Sequence, residues 1–223
     1  MPLTSRSAHP SHDRGPARDH SHGVVYDNRT ARRAGQLHLT LSLGGKRIRY
    51  AYIRKNGCSC FKAALGYHPA TKITEIARRH RSRWFYRHDA TIFVWRDPEE
   101  RLISLYRNKI IDGRNNEDLL QRYRAAMGEE PSSFERFAEF AELAADPHCL
   151  PQADHLHPII YTHAIPLRRL HDWIQRIVGP RAAQPFARRV NDSASAPVEV
   201  TARARSLIRS VYAADYRMIE RLT

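Results

Sequence analysis

Tyr50-Ala51-Tyr52-Ile53-Arg54-Lys55-Asn56-Gly57-Cys58-Ser59-Cys60-Phe61-Lys62 is an apolar run that breaks into a polar turn and then takes a helix-like pattern. Further along, Ile92-Phe93-Val94-Trp95-Arg96-Asp97-Pro98-Glu99-Glu100-Arg101-Leu102-Ile103-Ser104-Leu105-Tyr106 repeats the plan. A strand that delivers its chain to a helix N-terminus exposes unpaired backbone N–H groups, and these attract anions. Two such turns, each carrying Lys or Arg and small hydroxyl residues, predict a ligand with two separate phosphate groups.

In the first turn Gly57 allows tight backbone geometry and Asn56 tolerates it. Cys58, Ser59 and Cys60 are small enough for successive N–H groups to surround a phosphate, and Lys55 is placed to reach over it as a point charge. The pattern G-x-x-x-x-G-K-[ST] is absent, because Lys55 precedes the small residues, which argues against an ordinary ATPase or kinase. The bland alternative is a strand-to-helix turn with no ligand.

The second turn is more specific. Asp97 is read as the cap of a helix that begins at Pro98, with Glu99 and Glu100 where the helix dipole favours acids. Arg101 and Ser104 lie three apart on that helix. Arg96 leaves the strand end just before the cap, so Arg96 and Ser104 are expected to grip one phosphate. A capped surface helix with incidental arginines would account for Asp97-Pro98-Glu99 but not for Arg96 at the end of an apolar strand.

Together these stretches resemble the two cofactor motifs of the carbohydrate sulfotransferases, the Golgi-type family and its bacterial relatives, which use 3′-phosphoadenosine 5′-phosphosulfate (PAPS). Lys55 to Lys62 resembles the motif that holds the 5′-phosphosulfate, and residues 96–106 match every fixed position of the motif that holds the 3′-phosphate. Asp146-Pro147-His148-Cys149-Leu150-Pro151-Gln152 is similar to a third segment, Asp-x-His-Trp-x-Pro-Gln. Val190-Asn191-Asp192-Ser193 and the later Tyr212-Ala213-Ala214-Asp215-Tyr216 resemble the family's C-terminal part.

The resemblance implies a PAPS-dependent transfer of a sulfuryl group to a hydroxyl of a carbohydrate or carbohydrate-like acceptor. It places Lys55, Asn56, Gly57, Cys58, Ser59, Cys60 and Phe61 around the 5′-phosphosulfate, and Arg96 and Ser104 on the 3′-phosphate. Lys55 would neutralise charge on the leaving oxygen. His148 is the candidate general base, since imidazole titrates near working pH; His155, His157, His163 and His88 are its rivals. Arg54, Trp95 and Cys149 depart from the family's usual Pro, small aliphatic residue and Trp, and Cys149 bears on acceptor identity.

Composition fits a small enzyme of one domain. No run approaches the ~18 apolar residues of a membrane span and no signal-peptide h-region opens the chain, so a soluble, bacterial, cytoplasmic protein is expected. The three cysteines give no disulfide framework and suit a reducing compartment. A zinc site from Cys58, Cys60, His148 and Cys149 is opposed by the C-x-C spacing inside a phosphate-type turn, so no metal is expected. The net charge of +14 is the strongest competing signal. It suits polyanionic substrates but also a basic nucleic-acid-binding protein, the alternative kept here beside a P-loop-like kinase using another nucleotide. The arginines of 78–83, 168–169 and 188–189 form no zinc-finger, RNP or basic-zipper pattern.

Residues 1–30 mix Pro, Ser, His and Arg and read as a disordered tail before a domain of residues 31–223. Leu37 to Leu43 alternates, Gly44-Gly45 turns, and Arg47 to Ile53 follows as the second arm of a hairpin that feeds the first phosphate loop. Residues 59–81, 98–110, 117–127, 132–144, 166–178 and 199–222 read as helices and 90–95 as a buried strand. The fold class expected is α/β, a single P-loop-like domain with a central, mainly parallel sheet flanked by helices. Ligands of such sheets sit at the carboxyl ends of the strands.

Overall fold

The hairpin forms where the alternation puts it. In the computed structural model, which describes residues 24–83, 85–187 and 197–223, a short strand β1 (Tyr26–Asp27) precedes β2 (His38–Leu43) and β3 (Lys46–Ala51). β2 and β3 pair antiparallel and turn at Gly44 and Gly45, whose φ values of 56° and 74° favour glycine. Leu39, Leu41, Leu43, Ile48 and Tyr50 enter the main core, while Thr40, Arg47 and Arg49 alternate to the other face.

Two parallel strands complete the sheet: β4 (Ala90–Trp95) lies beside β3, and β6 (His163–Pro166) beside β4, giving the order β2–β3–β4–β6. The expected parallel core is thus joined to an antiparallel edge, making an α/β fold around a mixed sheet. β6 hides in a His-rich stretch, and the helix expected from residue 166 begins with a tight turn at Leu167–Arg169. β1 pairs separately with β5 (Ile160–Tyr161). β1 lies within the stretch read as a tail; residues 1–23 of that stretch, with Arg188-Arg189 and Val190-Asn191-Asp192-Ser193, lie outside the described residues.

Helices cover the sheet on both faces. The stretch 59–81 divides into α1 (Cys58–Ala64) and α2 (Ile73–His80). The ammonium of Lys62 donates to the carbonyls of Pro69 and Thr71 and closes the intervening loop. After β4 come α3 (Pro98–Tyr106), which continues as a wider turn over Arg107–Ile111, α4 (Glu117–Met127) and α5 (Phe134–Glu142). α6 (Leu170–Val178), α7 (Pro180–Ala183), α8 (Ala202–Val211) and α9 (Ala213–Glu220) follow.

Phe61, Ile76, Trp173, Ile174 and Phe186 pack with Tyr50, Ile92, Val94 and Ile165. Against the opposite face, Tyr26, Leu156, Tyr161, Met218 and Leu222 pack with Phe93 and Ala164. A third cluster of Leu102, Leu105, Tyr123, Phe137, Phe140 and Tyr212 joins α3, α4, α5 and α8. Each buried large side chain contributes roughly 1.5–3 kcal/mol by leaving water. The carboxyl ends of β3 and β4 are therefore firm mounts for the turns that follow them.

Candidate active site

The first turn is bent by two left-handed residues, Lys55 (φ 67°) and Gly57 (φ 75°). Lysine is strained there and glycine is not. A Cβ on Gly57 would also lie 2.8 Å from Leu167 Cδ1 and 3.0 Å from Leu170 Cδ2. The residue expected to tolerate the bend was Asn56; Lys55 makes it instead, and Asn56 turns its amide inward. Asn56 is fully buried, and its Nδ2 donates to the Val94 carbonyl (2.7 Å) and to Gln152 Oε1 (2.6 Å).

Gly57 heads α1 without any side chain capping the helix, and its carbonyl accepts from the Cys60 N–H at 3.0 Å. Cys58 is half-buried and Cys60 buried, and neither they nor Cys149 form a disulfide. Phe61 points into the core and stacks on Tyr50 at 3.7 Å, so its side chain supports the loop from beneath. Ser59 occupies the first turn of α1.

The second turn follows the expected capping. Asp97 Oδ1 accepts from the Glu100 N–H at 3.0 Å, and Pro98 opens α3. Arg96 stands at the end of β4, one-quarter exposed, with its Nε 3.3 Å from Glu100 Oε2. Ser104 lies two turns into α3 and is half-buried.

Gln152 joins the two turns. Its Oε1 accepts from Asn56 Nδ2 and from the Arg96 backbone N–H (3.0 Å), while its Nε2 donates to the Arg96 carbonyl (2.8 Å) and to Asp215 Oδ2 (3.2 Å). Asp215, fully buried on α9, also accepts from the N–H groups of Gln152 (2.9 Å) and Ala153 (2.8 Å). Burial raises the Asp215 pKa, opposed by nearby Arg101 and by those hydrogen bonds.

Arg101 is a second tie. It is 2 % exposed, and its guanidinium donates to the carbonyls of Arg54 (3.2 Å) and His148 (3.1 Å) beneath the Tyr212 ring. Tyr212 in turn donates its hydroxyl to the Cys149 carbonyl at 2.8 Å. Sequence reasoning placed Arg101 only beside Ser104. The signal was there: Pro98, Arg101, Leu102 and Leu105 form the buried stripe of α3, and Arg101 stands where an apolar residue is expected.

On the acceptor side His148 meets Asp146. Its Nδ1 lies 2.6 Å from Asp146 Oδ1, which also accepts from the His148 N–H at 2.7 Å. Asp146 is 1 % exposed and holds Arg122 Nη1 3.0 Å from its other oxygen. The carboxylate places the imidazole proton on Nδ1 and leaves Nε2 as an acceptor without a partner among the described residues. Burial lowers the His148 pKa against the pull of Asp146, and Arg54 and Lys109 add to the lowering. Burial would raise the Asp146 pKa, but its bonds to His148, with Arg122 nearby, hold it below the usual carboxylate value.

Lys55 completes the set. Burial, with Lys109 and Arg96 close enough to repel its ammonium, lowers its pKa to about 8, although Cys58 and Asp112 pull the other way. Lys109, on the wider turn after α3, escaped sequence reasoning. Its Nζ donates to the Arg114 carbonyl (3.0 Å) and also to that of Asn115, so its head is fixed near Lys55 and His148.

The other histidines lie elsewhere, except His155, which is close enough to Arg101, Arg54 and His148 to feel their charges. His88 bonds Thr40 and Ser82, and His163 lies on β6 against Thr162. His157 accepts from the Gly35 N–H, and His155 is buried with neither ring nitrogen bonded. Among the described residues no group of His, Cys, Asp or Glu could hold a metal ion, and no helix is long and apolar enough to cross a membrane.

Comparison with known proteins bears on the same residues. Neither the curated proteins nor the solved structures provide a match to the chain. A family model described as "Sulfotransferase family" matches residues 43–176, more than half of the chain, from the hairpin turn through both turns and the His148 segment into α6. The chain belongs to the sulfotransferase family and is a transferase of sulfuryl groups.

Proposed function

We propose that the donor is PAPS and that the acceptor is a hydroxyl of a carbohydrate or carbohydrate-like molecule. The observation that carries the reading is Gln152, one side chain bonded to both the Asn56 turn and the Arg96 turn. A ligand with two phosphate groups on one nucleoside needs two cationic turns at fixed separation, and this bond network fixes them. Lys109 and Arg96 each lie close enough to Lys55 to repel its ammonium, which fits a polyanion.

PAPS, when bound, supplies a sulfuryl group activated by its link to a phosphate. In this reading the N–H groups of Gly57, Cys58 and Ser59 face the 5′-phosphosulfate, the Cys60 N–H closes the first turn of α1 on the Gly57 carbonyl, and Asn56 and Phe61 hold the loop from behind. Arg96 and Ser104 take the 3′-phosphate, Arg96 exchanging Glu100 for it. Lys55 neutralises the negative charge that grows on the phosphate oxygen as the S–O bond breaks. His148 Nε2 takes the proton of the attacking hydroxyl, and Asp146 steadies the imidazolium so formed. Positioning and charge stabilisation thus carry the acceleration. Cys58, Cys60 and Cys149 form no disulfide, which suits the reducing cytoplasm in which we place the chain.

Calorimetry with 3′-phosphoadenosine 5′-phosphate tests the donor. Tight binding, with ATP at least tenfold weaker, is expected; equal affinity for ATP or an oligonucleotide would refute it. Turnover confined to phenols or amines would refute the carbohydrate acceptor.

A further inference from the structure

The net charge is far larger than the donor turns need, and one part of the surplus is organised. Residues 81–83 and 85–89 cross the polar face of the β2–β3 hairpin. They start beside β2, where Arg81 bridges Leu39 and the Ser82 N–H donates to the His38 carbonyl (2.8 Å). They end where the Asp89 N–H donates to the Arg47 carbonyl (2.8 Å). Arg49 holds the crossing from below, its Nε donating to Ser82 Oγ (3.2 Å), and His88 bonds Thr40 at 3.0 Å. The segment is therefore a mounted surface.

What it presents is cationic and aromatic. Phe85 is 55 % and Tyr86 38 % exposed, edge to face with ring centroids 4.9 Å apart. The Arg83 guanidinium lies over Phe85 at 6.0 Å and that of Arg47 over Tyr86 at 5.5 Å. Arg47, Arg81, Arg83 and Arg87 are exposed, and none has a carboxylate ion-pair partner among the described residues. By contrast Arg122, Arg124 and Arg136, around α4 and α5, are all paired with acids. The nearest acid, Asp89, already accepts from the Arg47 N–H at 2.7 Å.

Stacked guanidinium groups on rigid rings keep their forks pointed outward at small entropic cost, and such forks suit sulfate and carboxylate groups. Each ring carries a guanidinium and packs edge-on to its neighbour, a poor arrangement for stacking bases, which need open ring faces. The segment runs from beside the carboxyl end of β3, at Arg81, to the start of β3 and β4, at Asp89, so its Arg47–Tyr86 end lies about 20 Å from the donor turns if a six-residue strand rises about 3.3 Å per residue.

We propose that this face is a second binding surface for an anionic polysaccharide, holding a sulfated or carboxylated stretch of the acceptor chain away from the site of transfer. The proposal rests on the carbohydrate-acceptor reading above. It implies that the acceptor is a polymer.

The test compares the full chain with an Arg47→Ala/Arg83→Ala/Arg87→Ala variant, and with a milder Arg83→Gln/Arg87→Gln variant should the first fail to fold. Binding to dextran sulfate is measured against salt, with neutral dextran and a single-stranded oligonucleotide as controls and 3′-phosphoadenosine 5′-phosphate titrated separately. The triple variant should bind dextran sulfate at least about tenfold more weakly, with the slope of log K against log salt reduced by about two to three units. Its nucleotide affinity should stay within about twofold. Unchanged dextran sulfate binding would overturn the proposal. So would an oligonucleotide bound as tightly as dextran sulfate and lost in the same variant, which would make the face a nucleic-acid surface. Loss of nucleotide binding in both proteins would tell against the donor reading alone, since the polysaccharide arm contains no nucleotide.

Discussion

Asp146 Oδ1 stands 2.6 Å from His148 Nδ1, and the same oxygen takes the His148 backbone N–H, so one carboxylate sets both the ring and the chain that carries it. The consequence is a defined tautomer. Asp146→Asn should lower kcat by roughly tenfold to a hundredfold, and His148→Gln by ~10²–10⁴-fold, both with nucleotide affinity within about twofold. Steady-state rates at saturating donor, with calorimetry beside them, check this. A His148→Gln rate within about threefold of wild type would remove it as the base.

A two-limbed pH profile is expected for kcat/KM. His148 must be neutral to take a proton, and its lowered pKa puts the acid limb below its ordinary value of 6.5. Lys55 must be charged to neutralise the leaving oxygen, and it loses its proton near pH 8 in the free enzyme. Activity should therefore rise through the first region and fall through the second. Lys55→Arg keeps its charge at all these pH values, so whatever activity it retains should lack the alkaline limb. An alkaline limb unchanged in Lys55→Arg would assign it to another group.

Arg96→Ala and Ser104→Ala should appear in donor affinity and leave kcat nearly alone, because phosphate contacts of the ground state persist in the transition state. A charge-assisted Arg–phosphate contact contributes about 1.5–3 kcal/mol, so roughly tenfold to a hundredfold is expected for Arg96→Ala. Its ion pair with Glu100 in the ligand-free protein makes a second measurement useful. Glu100→Gln should tighten the nucleotide slightly, and calorimetry on both variants would show Arg96 to be outside the site if neither moved.

Gln152→Leu removes a donor and an acceptor that serve both turns at once. The buried Asn56 amide, the Arg96 carbonyl and Asp215 would each lose a partner. An unsatisfied buried polar group costs about 1–3 kcal/mol, so denaturant melts should show a loss of at least that size, accompanied by weaker nucleotide binding. Lost stability with unchanged nucleotide affinity would show that the network does not position the turns.

Acid should destabilise the protein through its buried histidines, His38 and His155 foremost. Burial lowers the pKa of His38 and of His155 to about 3, whereas both titrate near 6.5 in the unfolded chain. The unfolded state thus binds up to two more protons between those values, and stability falls as pH drops from 6.5 towards 3. The loss from these two is about 2.7 kcal/mol per pH unit at most. His155→Leu should reduce the slope by up to about 1.4 kcal/mol per pH unit, with no ring partner lost, while His88, His148, His157 and His163, also lowered, keep the remainder. Urea melts at pH 7 and pH 5 read the difference, and an unchanged slope would exclude His155 as a source.

Much of this site was legible because its parts are local. The capped start of α3, the Gly57 turn and the hairpin each lie within a dozen residues, where propensity and periodicity speak directly. Which way a loop side chain faces is not local. Asn56 and Phe61 sit in the right loop but turn inward, because Gln152 and Tyr50 wait there, and Gln152 comes ninety-six residues after Asn56. The short strands β1, β5 and β6 escaped for the same reason, being strands only by virtue of their partners. Asp146 was on the page as part of a motif, but its role depends on a turn that brings positions two apart into contact.

The link from Asp215 through Gln152 to Asn56 also orders events in time. Both donor turns are synthesised in the first half of the chain, yet their separation depends on a carboxylate that emerges only with α9. A growing chain that has already made Lys55 and Arg96 therefore has the pieces of the proposed nucleotide site without the bonds that fix their separation. The network closes only when α9 docks and Asp215 accepts from the Gln152 and Ala153 N–H groups.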